Sequence, residues 1–334
     1  MQSEGAGIRA HSLATIIMSE ENQKMEWIVF CVGLILIFVL GTSYYAYRKT
    51  FHSEKKPRKR QDYMDEGIYS EVSDRLRGWA EDLARVPFEE VYIRSADGKR
   101  LFGRYYHVAD GAPINIEFHG YRGDAYRDFS GGDPFSRRKG CNTLLVDQRA
   151  HGKSGGRTIT FGVKERLDVL AWVEYAVNRF GDSTRIFLTG ISMGAATVLM
   201  ATELPLPANV VGVIADSPYS SPRDIIRKVC GDMHLPVDFI YPFLWLGALL
   251  FGHFRIRGGA EDAVKRATMP LLILHGEGDG FVPCSMSERI AEEASDATLV
   301  TFAGADHCLG YVVAPEKYEE TLSAFLDKCL KKSA

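Results

Sequence analysis

The chain has 334 residues, 46% hydrophobic and 25% charged, a balance that excludes a largely disordered chain, a collagen and a polytopic membrane protein. Its 40 basic and 43 acidic side chains leave a formal charge of −3, without the basic excess of duplex-binding domains, so no nucleic-acid partner is expected. Six cysteines are scattered with no CxxC and no His/Cys cluster at metal-ligand spacing; free thiols, no metal and a reducing compartment are expected.

Residues 1–26 form an N-terminal segment in which Glu4, Glu20, Glu21 and Glu26 outnumber Arg9 and Lys24. Residues 27–47, WIVFCVGLILIFVLGTSYYAY, carry no charge and would span about 30 Å of hydrocarbon as a helix. Trp27 at one end and Tyr44, Tyr45 and Tyr47 at the other sit where interfacial aromatics belong. One transmembrane helix is expected. A buried core helix rarely lacks a polar face over this length, and a cleaved signal peptide would have a basic lead and a shorter apolar run. Arg48, Lys49, Lys55, Lys56, Arg58, Lys59 and Arg60 follow directly, which places the remainder on the cytoplasmic side of a single-pass cell-membrane protein. The same run can rest on anionic headgroups or be a solvated linker.

Residues 48–86 read as a basic linker and a helix, Ile68 to Val86, stopped by Pro87. From residue 87 to 334, short runs rich in β-branched and aromatic residues alternate with helical stretches. The strands are expected at Val91–Arg94, Leu101–His107, Ile114–Phe118, Thr143–Val146, Arg185–Thr189, Val210–Ile214, Leu271–Leu274 and Leu299–Phe302. Most are continuously apolar, as strands buried on both faces are. Helices are expected at Lys164–Phe180 and Pro315–Lys332. The fold class is therefore α/β, a mostly parallel central sheet with helices on both faces. SADGKR between the first two strands suggests an antiparallel hairpin at the sheet edge.

Chemistry concentrates in RIFLTGISMGAATVLMATEL, residues 185–204. A strand runs into Gly190-Ile191-Ser192-Met193-Gly194 and then into an alanine-rich helix. Glycines flank a serine on such a turn because a Cβ would clash with the neighbouring strand and helix. A serine nucleophile needs a base, and the base an orienting carboxylate. Asp279 follows the strand Leu271–Leu274 and His307 follows Leu299–Phe302. Loops at the carboxyl ends of parallel strands open on one edge of the sheet, so Ser192, Asp279 and His307 can converge. Asp216, at the end of Val210–Ile214, competes with Asp279. The Met193 N–H and the loop His119-Gly120-Tyr121-Arg122-Gly123, through the Tyr121 N–H, are the expected oxyanion hole. His151, His119 and His275 read as turn or loop residues, and Cys308 as a packed residue.

Together HGYRG, DQRAHGKSGG, GISMG, HGEGDGFVP and GADH, spread over roughly Pro87 to Lys332, resemble the α/β-hydrolase fold, close to its serine aminopeptidase and prolyl-oligopeptidase-like branch and that branch's bacterial esterases. The turn after the fourth strand departs from the usual D-x-R-G-x-G-x-S, with Ala150 and His151 in the altered stretch. The resemblance implies a membrane-anchored serine hydrolase acting on an ester of an apolar acyl group, without a cofactor. The alternatives are a peptidase of the same branch and an inactive membrane-tethered binding module. An insertion at about 217–262 is expected to be a cap or lid. Its apolar middle, Phe239 to Phe251, reads as a helix over the sheet, an acyl-pocket lid with Phe243 and Trp245 in its wall, or a face on the membrane.

Overall fold

The computed structural model describes residues 4–54 and 67–332, with side chains from residue 22 onward and again from residue 69. Lys55, Lys56, Arg58, Lys59 and Arg60 of the basic run lie outside the described residues.

The chain opens with one continuous helix, α1 (Glu4–Thr50). The most apolar 18 residues of its stretch from Asn22 to Thr50 have a mean hydropathy of 2.3, and its apolar side chains from Trp27 to Leu40 face outward. A short 3₁₀ segment (Gly67–Val72) leads into α2 (Ser73–Arg85), which ends where Val86, ahead of Pro87, turns extended. There follow β1 (Glu89–Arg94), β2 (Arg100–Tyr106), β3 (Ile114–Phe118), α3 (Ala125–Phe129), α4 (Asp133–Arg138), β4 (Asn142–Asp147), α5 (Glu165–Phe180), β5 (Ile186–Ile191), α6 (Met193–Ala201) and β6 (Val210–Asp216). The chain finishes with α7 (Pro222–Asp232), α8 (Val237–Leu250), α9 (Ala260–Ala263), β7 (Leu271–Gly276), α10 (Cys284–Glu293), β8 (Ala297–Phe302), α11 (Gly310–Val313) and α12 (Pro315–Lys332).

The strands form a single sheet in the order β1-β2-β4-β3-β5-β6-β7-β8. β1 and β2 are the antiparallel edge hairpin, β2 meets β4 antiparallel, and every other pairing is parallel. Burial on both faces explains the continuous apolar runs. In β5, Ile186 and Leu188 join one core while Phe187 joins the other; in β7, Leu271 and Ile273 oppose Leu272 and Leu274 in the same way. α12 covers one face, with Tyr318, Leu322 and Phe325 in the second core, and α5 and α6 cover the opposite one.

α1 does not end in free solvent. Tyr47 and Phe51 belong to the main core, and Phe51 is fully buried against Phe161 and Phe254, with ring centroids 5.8 and 5.2 Å away. The Ser53 amide donates to the Arg157 carbonyl (2.8 Å) and that of Ile159 to Phe51 (2.7 Å). The first residues of the stretch read as linker are thus packed into the domain. α8 lies along α1: Phe243 meets Phe38 edge-on at 6.1 Å and Phe251 meets Tyr44 at 5.1 Å. The two helices touch at Gly247, where a Cβ would fall 2.5 Å from the Ser43 carbonyl oxygen.

Candidate active site

β5 delivers Ser192 to the carboxyl edge of the sheet on a strained turn, with φ 53° and ψ −114°. Only glycine fits on either side of it. A Cβ on Gly190 would lie 2.3 Å from the backbone of Gly194, and one on Gly194 would lie 1.8 Å from the Phe118 carbonyl oxygen. Strain of this kind persists where surrounding structure over-determines it, and here it lifts the hydroxyl to the mouth of a cavity at the start of α6.

The loops after β7 and β8 converge on that hydroxyl. His307 Nδ1 donates to Asp279 Oδ2 at 2.7 Å, and Ser192 Oγ donates to His307 Nε2 at 3.0 Å. A carboxylate can only accept, so the proton sits on Nδ1 and Nε2 is left as the acceptor. All three residues are buried, each with less than a tenth of its surface exposed. Asp279 is held from both ends: Oδ1 accepts from the amides of Phe281 (2.9 Å) and Val282 (2.7 Å), while His275 Nε2 stands 3.2 Å from Oδ2. Burial alone would raise its pKa, but the bonds from His275, His307 and Val282 prevail and hold the carboxyl well below the usual range. Asp306 ties the two loops together, accepting from the amides of His307 (2.7 Å) and Gly280 (3.2 Å).

Asp216 faces elsewhere. It accepts from Tyr318 (2.8 Å) and Ser217 (2.9 Å), and its burial pushes its carboxyl up. The Cys308 thiol is likewise pushed well up by burial, away from the nucleophilic thiolate.

The loop 119–123 passes beside the nucleophile, where a Cβ on Gly120 would lie 3.5 Å from that of Ser192. Asp128, which the sequence reading passed over, secures it by accepting the Gly120 amide at 2.7 Å while paired with Arg127. The end of α1 secures it too: the Tyr121 hydroxyl donates to the Thr50 carbonyl and Arg122 to that of Lys49, both at 2.7 Å. His151 is a third support, accepting the Arg122 amide at 3.0 Å through Nε2 and donating from Nδ1 to the Arg149 carbonyl at 2.9 Å. The positive φ of Ala150, 63°, stands in the altered stretch of this turn. Burial, helped by neighbouring His119, depresses the His151 imidazole to about 3 from an ordinary 6.5. The unfolded chain binds a proton that this folded site refuses, so the stability held here is present above pH 6.5 and is lost as the pH falls toward about 3. The melting temperature should therefore drop between pH 7 and pH 4, and less steeply in His151→Gln; parallel drops would refute this origin.

The cavity at Ser192 has a volume of about 600 Å³. Its outer wall includes Tyr69, Leu76 and Trp79, from the segment that connects α1 to the sheet, and the Tyr69 hydroxyl reaches the His307 carbonyl at 3.4 Å. No residue of 217–262 lines it. Phe243, expected in an acyl wall, is turned to α1. Nothing local in the sequence signals the roof, because Leu76 and Trp79 have the helical spacing that any core-facing helix shows.

Residues 118–321 match the alpha/beta hydrolase family. YqkD of Bacillus subtilis, an uncharacterized protein, is 26% identical over 308 residues, covering 91% of this chain and 98% of its own. Among solved structures, the esterase Pf2001 of Pyrococcus furiosus is similar with a TM-score of 0.59 at 26% identity, over 74% of this chain and 93% of that one. Est1E of Butyrivibrio proteoclasticus, solved with ferulic acid bound, shares the fold with a TM-score of 0.56 at 24% identity, over 72% of this chain and 99% of its own.

Proposed function

Because the chain belongs to the alpha/beta hydrolase family, we propose that it is a membrane-anchored serine hydrolase that cleaves carboxylic esters of apolar acyl groups through an acyl-enzyme. The observation that carries this reading is His307 standing between Ser192 Oγ at 3.0 Å and Asp279 Oδ2 at 2.7 Å. Ser192 Oγ attacks the acyl carbon and passes its proton to His307 Nε2. Asp279 orients the ring and offsets its positive charge, while the Met193 and Tyr121 N–H groups hold the oxyanion. The leaving alcohol departs with the proton from Nε2, and water, activated by the same nitrogen, releases the acid. Similarity to a protein described as an esterase supports an ester over a peptide.

The apolar character of the cavity supports an acyl substrate. Burying chain methylenes against side chains such as Trp79 contributes about 0.8 kcal/mol each. A series of p-nitrophenyl esters, set against aminoacyl anilides, tests this. The value of kcat/KM should rise from acetate to octanoate, and Trp79→Ala should lower it about tenfold for octanoate and much less for acetate. Faster turnover of the anilides, or equal loss on both esters, would overturn the assignment of this wall to an acyl chain.

For the anchor, the support is the outward-facing apolar length of α1 together with the burial of Phe51 directly after it, since removing the helix as a leader would unseat that packing. Arg48 and Lys49 at its end favour the cytoplasmic side for the catalytic domain. Membrane-impermeant thiol reagents should leave cysteines introduced on the domain surface unlabelled in intact cells; labelling would place the domain outside.

A further inference from the structure

β3 breaks the apolar rule of its neighbours on one face. Ile114, Ile116 and Phe118 enter the main core, whereas Asn115 and Glu117 point to the other side, where both are buried and both line the inner end of the cavity that begins at Ser192. The Thr189 hydroxyl donates to Asn115 Oδ1 at 2.6 Å, and Asn115 Nδ2 donates to Glu117 Oε1 at 2.8 Å and to Ser136 at 3.3 Å. Neighbouring Asp133 is satisfied by Thr143 at 2.6 Å and Arg137 at 2.8 Å. Glu117 Oε2 has no hydrogen-bond partner among the described residues. A buried carboxyl oxygen left in this condition is costly, and Asn115, itself held by Thr189 and Ser136, fixes Glu117 Oε1 and with it the direction of Oε2.

Depth along the sheet follows from register. Glu117 is paired with Thr189, three positions ahead of Ser192, which sets it about 10 Å below the nucleophile at strand spacing. A chain of roughly eight carbons covers that distance.

We propose that Glu117 is the polar terminus of the substrate site and receives a hydroxyl group carried near the far end of the acyl chain. The inference rests on the ester-hydrolase reading of Ser192. A plain hydrocarbon chain would be served by valine or isoleucine at positions 115 and 117. Burial, with Asp133 nearby and with Arg137 and the Asn115 hydrogen bond in opposition, pushes the Glu117 carboxyl well up, toward its neutral form. A carboxyl pushed toward its neutral form suits a hydroxyl, which can accept from Oε2–H and donate in return.

The test compares p-nitrophenyl 8-hydroxyoctanoate with p-nitrophenyl octanoate on the full-length protein in detergent. The hydroxylated ester should have a kcat/KM about tenfold higher. Glu117→Met should erase or reverse the preference, since the hydroxyl would then be buried unpaired, and Glu117→Gln should retain part of it. Equal values for the two esters on the unsubstituted protein, as expected if water alone meets Glu117, would overturn the proposal whether or not the variants fold. Binding separates this from the reading of the reaction: 8-hydroxyoctanoate should bind Ser192→Ala protein about tenfold tighter than octanoate. That result would support the subsite even if no ester were turned over, whereas equal affinities would overturn it.

Discussion

Replacement of Ser192 by alanine is expected to reduce ester turnover by roughly 10⁴-fold or more while the protein remains folded. The hydroxyl is bound to His307 Nε2 at 3.0 Å, and loss of one such bond costs only about 1 kcal/mol, a fraction of the stability of a domain. The positive φ at this residue, 53°, strains alanine and serine to a similar extent, so the turn should survive. Turnover without the nucleophile is limited to what the oxyanion donors and binding supply to attack by water. The measurement is kcat/KM on p-nitrophenyl acetate with a melting curve on the same preparation. A folded Ser192→Ala protein with near-unaltered turnover would remove Ser192 from the reaction. Labelling by a fluorophosphonate probe should disappear in parallel.

Asp279→Asn should lower kcat by about 10³- to 10⁴-fold, and the geometry gives the reason. Oδ1 of Asp279 is held by the amides of Phe281 and Val282, so an asparagine must present its oxygen there and turn its NH₂ toward His307. That NH₂ can only donate, which makes Nδ1 the acceptor and moves the imidazole proton to Nε2. In this tautomer the ring cannot take the proton of Ser192. Asp216→Asn should have a much smaller effect, because its bonds run to Tyr318 and Ser217 and not to the imidazole. Kinetics of the two variants, with imidazole tautomers followed by nitrogen NMR, would decide the matter. A larger loss in Asp216→Asn would transfer the orienting role to that residue.

Much of the sheet was legible from residues alone, because a strand buried on both faces must be apolar at successive positions and a run such as LLILHG has no other economical fate. The elbow was legible for a similar reason: Gly190 and Gly194 are demanded by backbone collisions within a few residues of one another. The candidates Ser192, Asp279 and His307 came from chain order and from their positions after parallel strands. Chain order favours Asp279 over Asp216, because the Asp279 loop lies one strand nearer to that of His307; the loop paths themselves meet only in three dimensions.

Three further features depended on contacts between distant segments. FIYPFLWLGALLF has the composition of a lid, a core helix or a membrane face alike, and its packing on α1 is settled by a close approach at Ser43 and Gly247, some 200 positions apart. The roof over Ser192 comes from Tyr69, Leu76 and Trp79, whose partners lie beyond any local window. Glu117 carried a signal of its own, an acid inside the apolar strand INIEF. Periodicity registers that such a residue is out of place; the cavity beside it and the unpaired oxygen belong to the folded chain alone. Hydrophobic pattern reports how deeply a residue is buried because burial is a property of one side chain and its solvent. Which surface buries it is a property of pairs, and pairs exist only once the chain has folded.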